Sequence, residues 1–218
     1  MQLRCVFAIL LGVAAIASAG LAGVPASAAL GAYDDLTATT PEPGECTVVP
    51  RSIVEVRALL PTPGPSRDQT ATPVPSRYHH VPASPEVVAG IEATARELVA
   101  CVNAGDVLRV LALYSDRLLT SGSLTTGDID PDAPPAPLAP EDRVALLGVV
   151  YVRQFDDGRA GAVILTDDPR IPSPVEPSFF FFAKTGDRWL IDEYPVIFEF
   201  SVEELPSQGS FDVGTPAW

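Results

Sequence analysis

The chain has 218 residues, with 14 Lys+Arg against 28 Asp+Glu and a formal net charge of −14 at pH 7. So acidic a surface repels phosphate backbones and excludes nucleic acid as a partner. Three cysteines and two histidines are too few for a zinc site once the amino terminus is processed, and no metal or cofactor is expected.

In chain order, residues 1–28 read as a secretory signal peptide. Arg4 supplies the positive start, residues 6–16 the apolar stretch, and Ala17-Ser18-Ala19 or Ala26-Ser27-Ala28 the cleavage site. The apolar stretch falls short of the ~20 residues of a spanning helix. Cleavage and a secreted, extracytoplasmic protein are therefore expected, with an uncleaved anchor as the alternative. Cys5 precedes the apolar stretch, which argues against a lipid-modified cysteine. Cleavage before Ala29 leaves 13 basic and 28 acidic residues, a net charge of −15. No later segment is long and apolar enough to span a membrane.

Cys46 and Cys101 then remain as an even pair in an oxidising compartment, and one disulfide is predicted between them. It closes a loop of about 55 residues and contributes ~3–4 kcal/mol by constraining the unfolded chain. Two unpaired thiols, with Cys101 as a small core residue, are the alternative.

Residues 29–83 are proline-dense and read mostly as linker. Within them, Ile53, Val56 and Leu60 recur at helical spacing, which predicts a short helix near 51–60 docked on the domain. Pro61-Thr62-Pro63-Gly64-Pro65 ends it.

The domain is predicted over 84–200. Its first helix opens with Ser84 as N-cap, Pro85 and Glu86. Val88, Ile91, Ala95, Leu98 and Val102 then form one apolar stripe. Gly105 ends this helix and Asp106 caps a second, on which Val107, Val110, Leu111, Tyr114 and Leu118 share a face. Residues 121–140, rich in Ser, Thr, Asp and Pro, are expected to be a disordered or decorative loop, or else a lid over a cavity.

Two hairpins follow. Residues 144–155 and 159–166 flank Asp156-Asp157-Gly158, and residues 179–184 and 188–200 flank Thr185-Gly186-Asp187. Residues 201–218 read as a carboxy-terminal tail. The four phenylalanines at 179–182 alternate between the two faces of one strand. Two enter the core, and two need a cover: the 121–140 loop, the 50–60 segment or a second subunit.

The run Asn103-Ala104-Gly105-Asp106, a helix reaching Leu113-Tyr114-Ser115-Asp116, and two hairpins closing with Gly186-Asp187-Arg188-Trp189-Leu190-Ile191-Asp192-Glu193 resemble the nuclear transport factor 2-like superfamily. The resemblance covers roughly residues 84–200. It implies an α+β fold in which a curved antiparallel sheet wraps the N-terminal helices as a cystatin-like cone, with a pocket at the open end. It implies no single activity, because one fold hosts unrelated functions.

Strand alternation puts Tyr151 and Arg153 on one face, and Leu190, Asp192 and Tyr194 on another shared face. With Tyr114, the residues Tyr151, Arg153, Asp192 and Tyr194 form the candidate ligand pocket, where an arginine favours an anionic ligand. The bland alternatives are a core role for Tyr114 with its hydroxyl at the rim, a solvated strand face for Asp192, and pairing of Arg153 with Asp156 or Asp157. No histidine, nucleophile motif or phosphate loop lies in the domain, so no catalytic residue is assigned.

The expected function is a secreted, non-catalytic domain that binds a small apolar or weakly acidic ligand, or acts as an interaction module. The first rival is an isomerase, dehydratase or cyclase using Asp192 or Asp116 with a tyrosine, which requires a carboxyl of raised pKa in a deep pocket. The second is a structural cell-surface domain on an uncleaved anchor. A homodimer through the sheet is a further expectation.

Overall fold

The computed structural model describes residues 37–62, 80–125, 129–171 and 175–193. The expected signal peptide, residues 29–36 and 63–79 of the expected linker, Tyr194 and the carboxy-terminal tail lie outside this range. Among the described residues four α-helices, α1 (Ile53–Leu59), α2 (Pro85–Asn103), α3 (Val107–Ala112) and α4 (Asp116–Thr120), accompany five strands. The strands are β1 (His80–Pro82), β2 (Ala145–Phe155), β3 (Ala160–Asp167), β4 (Val175–Thr185) and β5 (Arg188–Glu193). They form one antiparallel sheet in the order β1-β2-β3-β4-β5, so the fold is α+β.

Helix α2 begins as its residues dictate, with Ser84 at the N-cap and Pro85 at the first turn, where its missing N–H costs nothing. Its apolar stripe packs Ile91, Ala95, Leu98 and Val102 into the core. Near its start Gly90 lets the Trp189 ring of β5 come close: a Cβ there would stand 2.5 Å from the ring. One turn on, the Thr94 hydroxyl donates to the Trp189 carbonyl at 2.7 Å. At its end Asn103 is wholly buried. Its amide nitrogen donates to the Pro41 and Val144 carbonyls, and its oxygen accepts from the Val144 N–H at 2.9 Å.

The predicted second helix is two helices. The chain breaks at residues 113–115, where Tyr114 forms a parallel bridge with Ile191. The Ile191 N–H donates to the Leu113 carbonyl at 2.9 Å, and the Ser115 N–H donates to the Ile191 carbonyl at 2.8 Å. Satisfying the outer edge of β5 outweighs continuing the helix, since an unpaired edge invites association.

The segment ahead of the domain is more built in than a linker. Cys46 and Cys101 form a disulfide. Ser52 and Glu55 form a capping box that starts α1, and Val48, Val56 and Leu60 enter the core. Thr39 pairs through its backbone with Leu146 on the edge of β2. Farther on, residues 80–82, assigned to the linker by composition, form β1 and pair with Phe155, Gln154 and Arg153.

The 121–140 region is neither loose nor ornamental among its described residues. Leu124 and Ile129 are buried, and the Leu138 N–H donates to the Asn103 carbonyl at 2.8 Å. Leu124 and Ile129 of this region and Val56 of α1 belong to the core on the helical side, away from the outward phenylalanines. On β4, Phe180 and Phe182 join the core beneath the helices. Phe179 and Phe181 face away, with centroids 5.2 Å apart, and Phe155 lies 5.2 Å from Phe181.

Candidate functional site

Two β-bulges decide where the predicted pocket residues go. On β2 the register passes from Val150↔Val163 to Arg153↔Gly161, so Tyr151 and Val152 together oppose Ala162. Tyr151 absorbs the extra residue with φ 55°, a left-handed conformation unusual for a side chain of this size. On β5 the register passes from Phe182↔Ile191 to Phe181↔Glu193, which leaves Asp192 as the extra residue. Simple alternation, which paired Tyr151 with Arg153 and set Asp192 apart from Ile191, fails at both places.

The bulge turns Asp192 toward the segment bridging α3 and α4. Asp192 is 5% exposed and not on a solvated face. Its Oδ1 accepts a 2.6 Å hydrogen bond from the Ser115 hydroxyl, and its Oδ2 accepts from Arg117 Nε at 2.9 Å and Nη2 at 2.6 Å. Ser115 also caps α4, its hydroxyl accepting from the Leu118 N–H at 3.1 Å. Glu193 accepts from Arg117 and from Arg159, each at 2.9 Å. Arg159 in turn holds Asp157 at 2.7 Å and lies 4.7 Å above the Phe181 ring.

Burial alone opposes ionisation of Asp192, but the hydrogen bonds from Arg117 and Ser115 and the charges of Arg117 and Arg159 outweigh it. The carboxyl is held below its usual range. Reciprocally, the Asp192 hydrogen bond raises Arg117 further, with a smaller contribution from Glu193. A general base has to bind a proton near the working pH. Asp192 is poised the opposite way.

The other predicted residues disperse. Tyr114 is far from Asp192 in sequence but bridges its neighbour Ile191 in the fold; it is wholly buried with its hydroxyl inside the fold, not at the rim. Tyr151 and Arg153 sit on β2, with β3 and β4 between them and Asp192. Arg153 bonds the Val152 carbonyl at 3.4 Å, and it is Arg159 that takes Asp157. Tyr194 lies outside the described residues. Asp116, the other acid considered for catalysis, has a side chain 70% exposed and is paired with Arg51 at 2.8 Å.

Ser115, Arg117, Arg159 and Glu193 were not singled out from sequence. Ser115-Asp116 does carry a legible N-cap signal, but the bond from Ser115 to a residue 77 positions away leaves no local trace. No group of three or more His, Cys, Asp or Glu able to hold a metal ion exists among the described residues.

The chain is thus an α+β protein with a five-stranded antiparallel sheet, a disulfide-pinned amino-terminal segment and a buried, ion-paired aspartate on its last strand. It matches no family model, no curated protein and no solved structure.

Proposed function

We propose that this chain is a secreted, non-catalytic domain of the nuclear transport factor 2-like kind, acting as an interaction module. The observation that carries the reading is the commitment of Asp192. The only carboxylate within the predicted pocket set is ionised and saturated by Ser115 and Arg117, so it is no proton acceptor. The isomerase-type alternative loses its base there, and Asp116 offers only an exposed surface pair.

The cone reading is supported by α2 and α4 lying against one face of the sheet, with Trp189 and Ile191 of β5 in the shared core. Tyr114, Phe180 and Phe182 also belong to that core. A small apolar ligand seated between helices and sheet has to displace these rings, which favours the interaction module over the ligand carrier. The disulfide fits an oxidising compartment, and no helix among the described residues is long and apolar enough to cross a membrane. With the amino-terminal signal, the disulfide is in keeping with an extracytoplasmic location, cleaved or anchored.

Carboxylate-detected NMR titration of the full mature chain tests the central point. Asp192 is expected to titrate below the ordinary aspartate range, held there by Arg117 and Ser115; a value of ~6–7, the range of a working base, restores the enzyme reading. Native mass spectrometry with long-chain fatty acids tests the ligand version, and a stoichiometric complex restores it. The intact mass of the exported protein decides between a start near Gly20 or Ala29 and a retained Met1.

A further inference from the structure

Among the described residues only three large apolar side chains are left exposed. Two of them, Val49 at 81% and Val54 at 73%, lie close together on the segment that the Cys46–Cys101 bridge pins down. The third, Val81, is on β1. Pro50, beside Val49, and Ala58, one turn beyond Val54 on α1, are exposed as well.

Local structure does not account for these side chains. Val54 occupies the second position of α1, where valine is a poorer helix former than alanine or glutamate and forgoes the acid that the positive end of a helix favours. Val49 stands between Val48, which is in the core, and Arg51, whose N–H donates to the Leu108 carbonyl at 3.2 Å. The backbone is thus held on both sides of Val49 while its side chain faces water. An apolar ridge on so fixed a frame loses little freedom when a partner binds it.

We propose, resting on the interaction-module reading, that Val49, Pro50, Val54 and Ala58 form the docking surface of this module, and that its occupant is a protein segment combining apolar side chains with Lys or Arg. The charge around the ridge selects that occupant. Glu55 is exposed on α1 itself. Asp132, its side chain 59% exposed, meets α1 at Arg57, and Asp116, 70% exposed, meets Arg51 just before the N-cap. The Arg51 side chain is 18% exposed and turned inward, donating to the Leu111 and Tyr114 carbonyls. Arg57 is the one basic residue on α1. Three exposed carboxylates therefore border the ridge against one exposed guanidinium, in a chain of net charge −14. A second copy would set its own acids against these, and an anionic membrane meets the same repulsion. A cationic partner is drawn in by them.

The test titrates the full mature chain, 15N-labelled, with a synthetic peptide, acetyl-Lys-Leu-Val-Lys-Arg-Leu-Lys-amide, followed by NMR. Amide shifts are expected to move at residues 49–58. Binding is expected to weaken about tenfold in the double variant Val49→Ser, Val54→Ser and severalfold in Glu55→Gln, Asp116→Asn, and to stay unchanged in Val81→Ser. A peptide of equal charge with its apolar residues replaced by serine is expected to bind about tenfold more weakly. No binding, equal binding of the serine peptide, or a double valine variant that binds like wild type overturns the proposal. Self-association that the valine variant abolishes, or capture of phosphatidylglycerol vesicles through residues 49–58, names another occupant and overturns it too. Shifts confined to a different surface overturn this placement and leave the interaction-module reading standing. That reading falls instead on the Asp192 titration or on a fatty-acid complex, neither of which bears on the ridge.

Discussion

The Ser115 hydroxyl and the Asp192 carboxylate meet at 2.6 Å, joining the N-cap of α4 to the bulge of β5. One hydroxyl thereby serves two ends, accepting from the Leu118 N–H and donating to the buried acid. Ser115→Ala removes both bonds and leaves Asp192 dependent on Arg117. A loss of ~2 kcal/mol is expected, combining a cap with a charge-assisted hydrogen bond. Urea unfolding of Ser115→Ala beside wild type checks it, and a loss below ~0.5 kcal/mol contradicts the assigned geometry.

The same site sets an acid dependence whose sign follows from the lowered carboxyl of Asp192. The unfolded aspartate binds its proton at ~3.9, and the folded one only at lower pH. The stabilisation is therefore complete above the unfolded value and is lost as pH falls through the folded one. Asp192→Asn cannot ionise, so its deficit relative to wild type is expected to be largest at pH 7 and to shrink toward pH 3. Arg117 is half exposed, which screens its share of the pair. Unfolding curves of both proteins at pH 7, 4 and 3 measure the trend, and a deficit constant with pH contradicts it.

How far the sequence reached is clearest at these two strands. The hairpins, the start of α2 and the Cys46–Cys101 pair were legible because each rests on local chemistry: turn residues, a cap with proline, or an even cysteine count. The pocket was not. It was built on strict alternation, which a single inserted backbone residue reverses, and neither Tyr151 nor Asp192 carries the glycine that often marks a bulge. The break between α3 and α4 was hidden for a related reason. Apolar spacing runs on through Tyr114 to Leu118, and only pairing with Ile191, a partner distant in sequence, interrupts it. The linker was overextended because composition alone does not reveal that Thr39 and His80–Pro82 each find an edge of β2.

Asn103 is the hinge of polar satisfaction at the end of α2. Replacing it with Ala strands the Val144 N–H and takes a donor from the Pro41 and Val144 carbonyls, all in a wholly buried setting. A cost of ~2–4 kcal/mol is expected from the unsatisfied groups. Asn103→Asp is expected to be worse, because a carboxylate facing two carbonyls is repelled by them. Thermal unfolding of the two variants ranks them, and an aspartate variant as stable as the alanine one contradicts the bonding pattern.

The disulfide anchors a segment that also has its own attachments. Arg109 donates to the Cys46 carbonyl at 2.6 Å, and Arg51 donates to the Leu111 and Tyr114 carbonyls at 3.0 Å and 2.7 Å. Val56 and Leu60 bury fully or nearly so in the core. Removing the bridge with Cys46→Ser and Cys101→Ser therefore leaves the native contacts in place and acts chiefly by freeing the unfolded chain, at a cost of ~3–4 kcal/mol. Arg51→Ala, by contrast, uncaps the end of α3 and loosens the docked segment while the bridge stays intact. Hydrogen exchange separates the two effects. Amides of α1 are expected to exchange faster in Arg51→Ala at nearly unchanged global stability, whereas the double serine variant lowers global stability with α1 still protected below its melting range. Rapid exchange of α1 in the double serine variant under native conditions would instead make the bridge, and not Arg51 and the apolar contacts, the feature that holds the segment down.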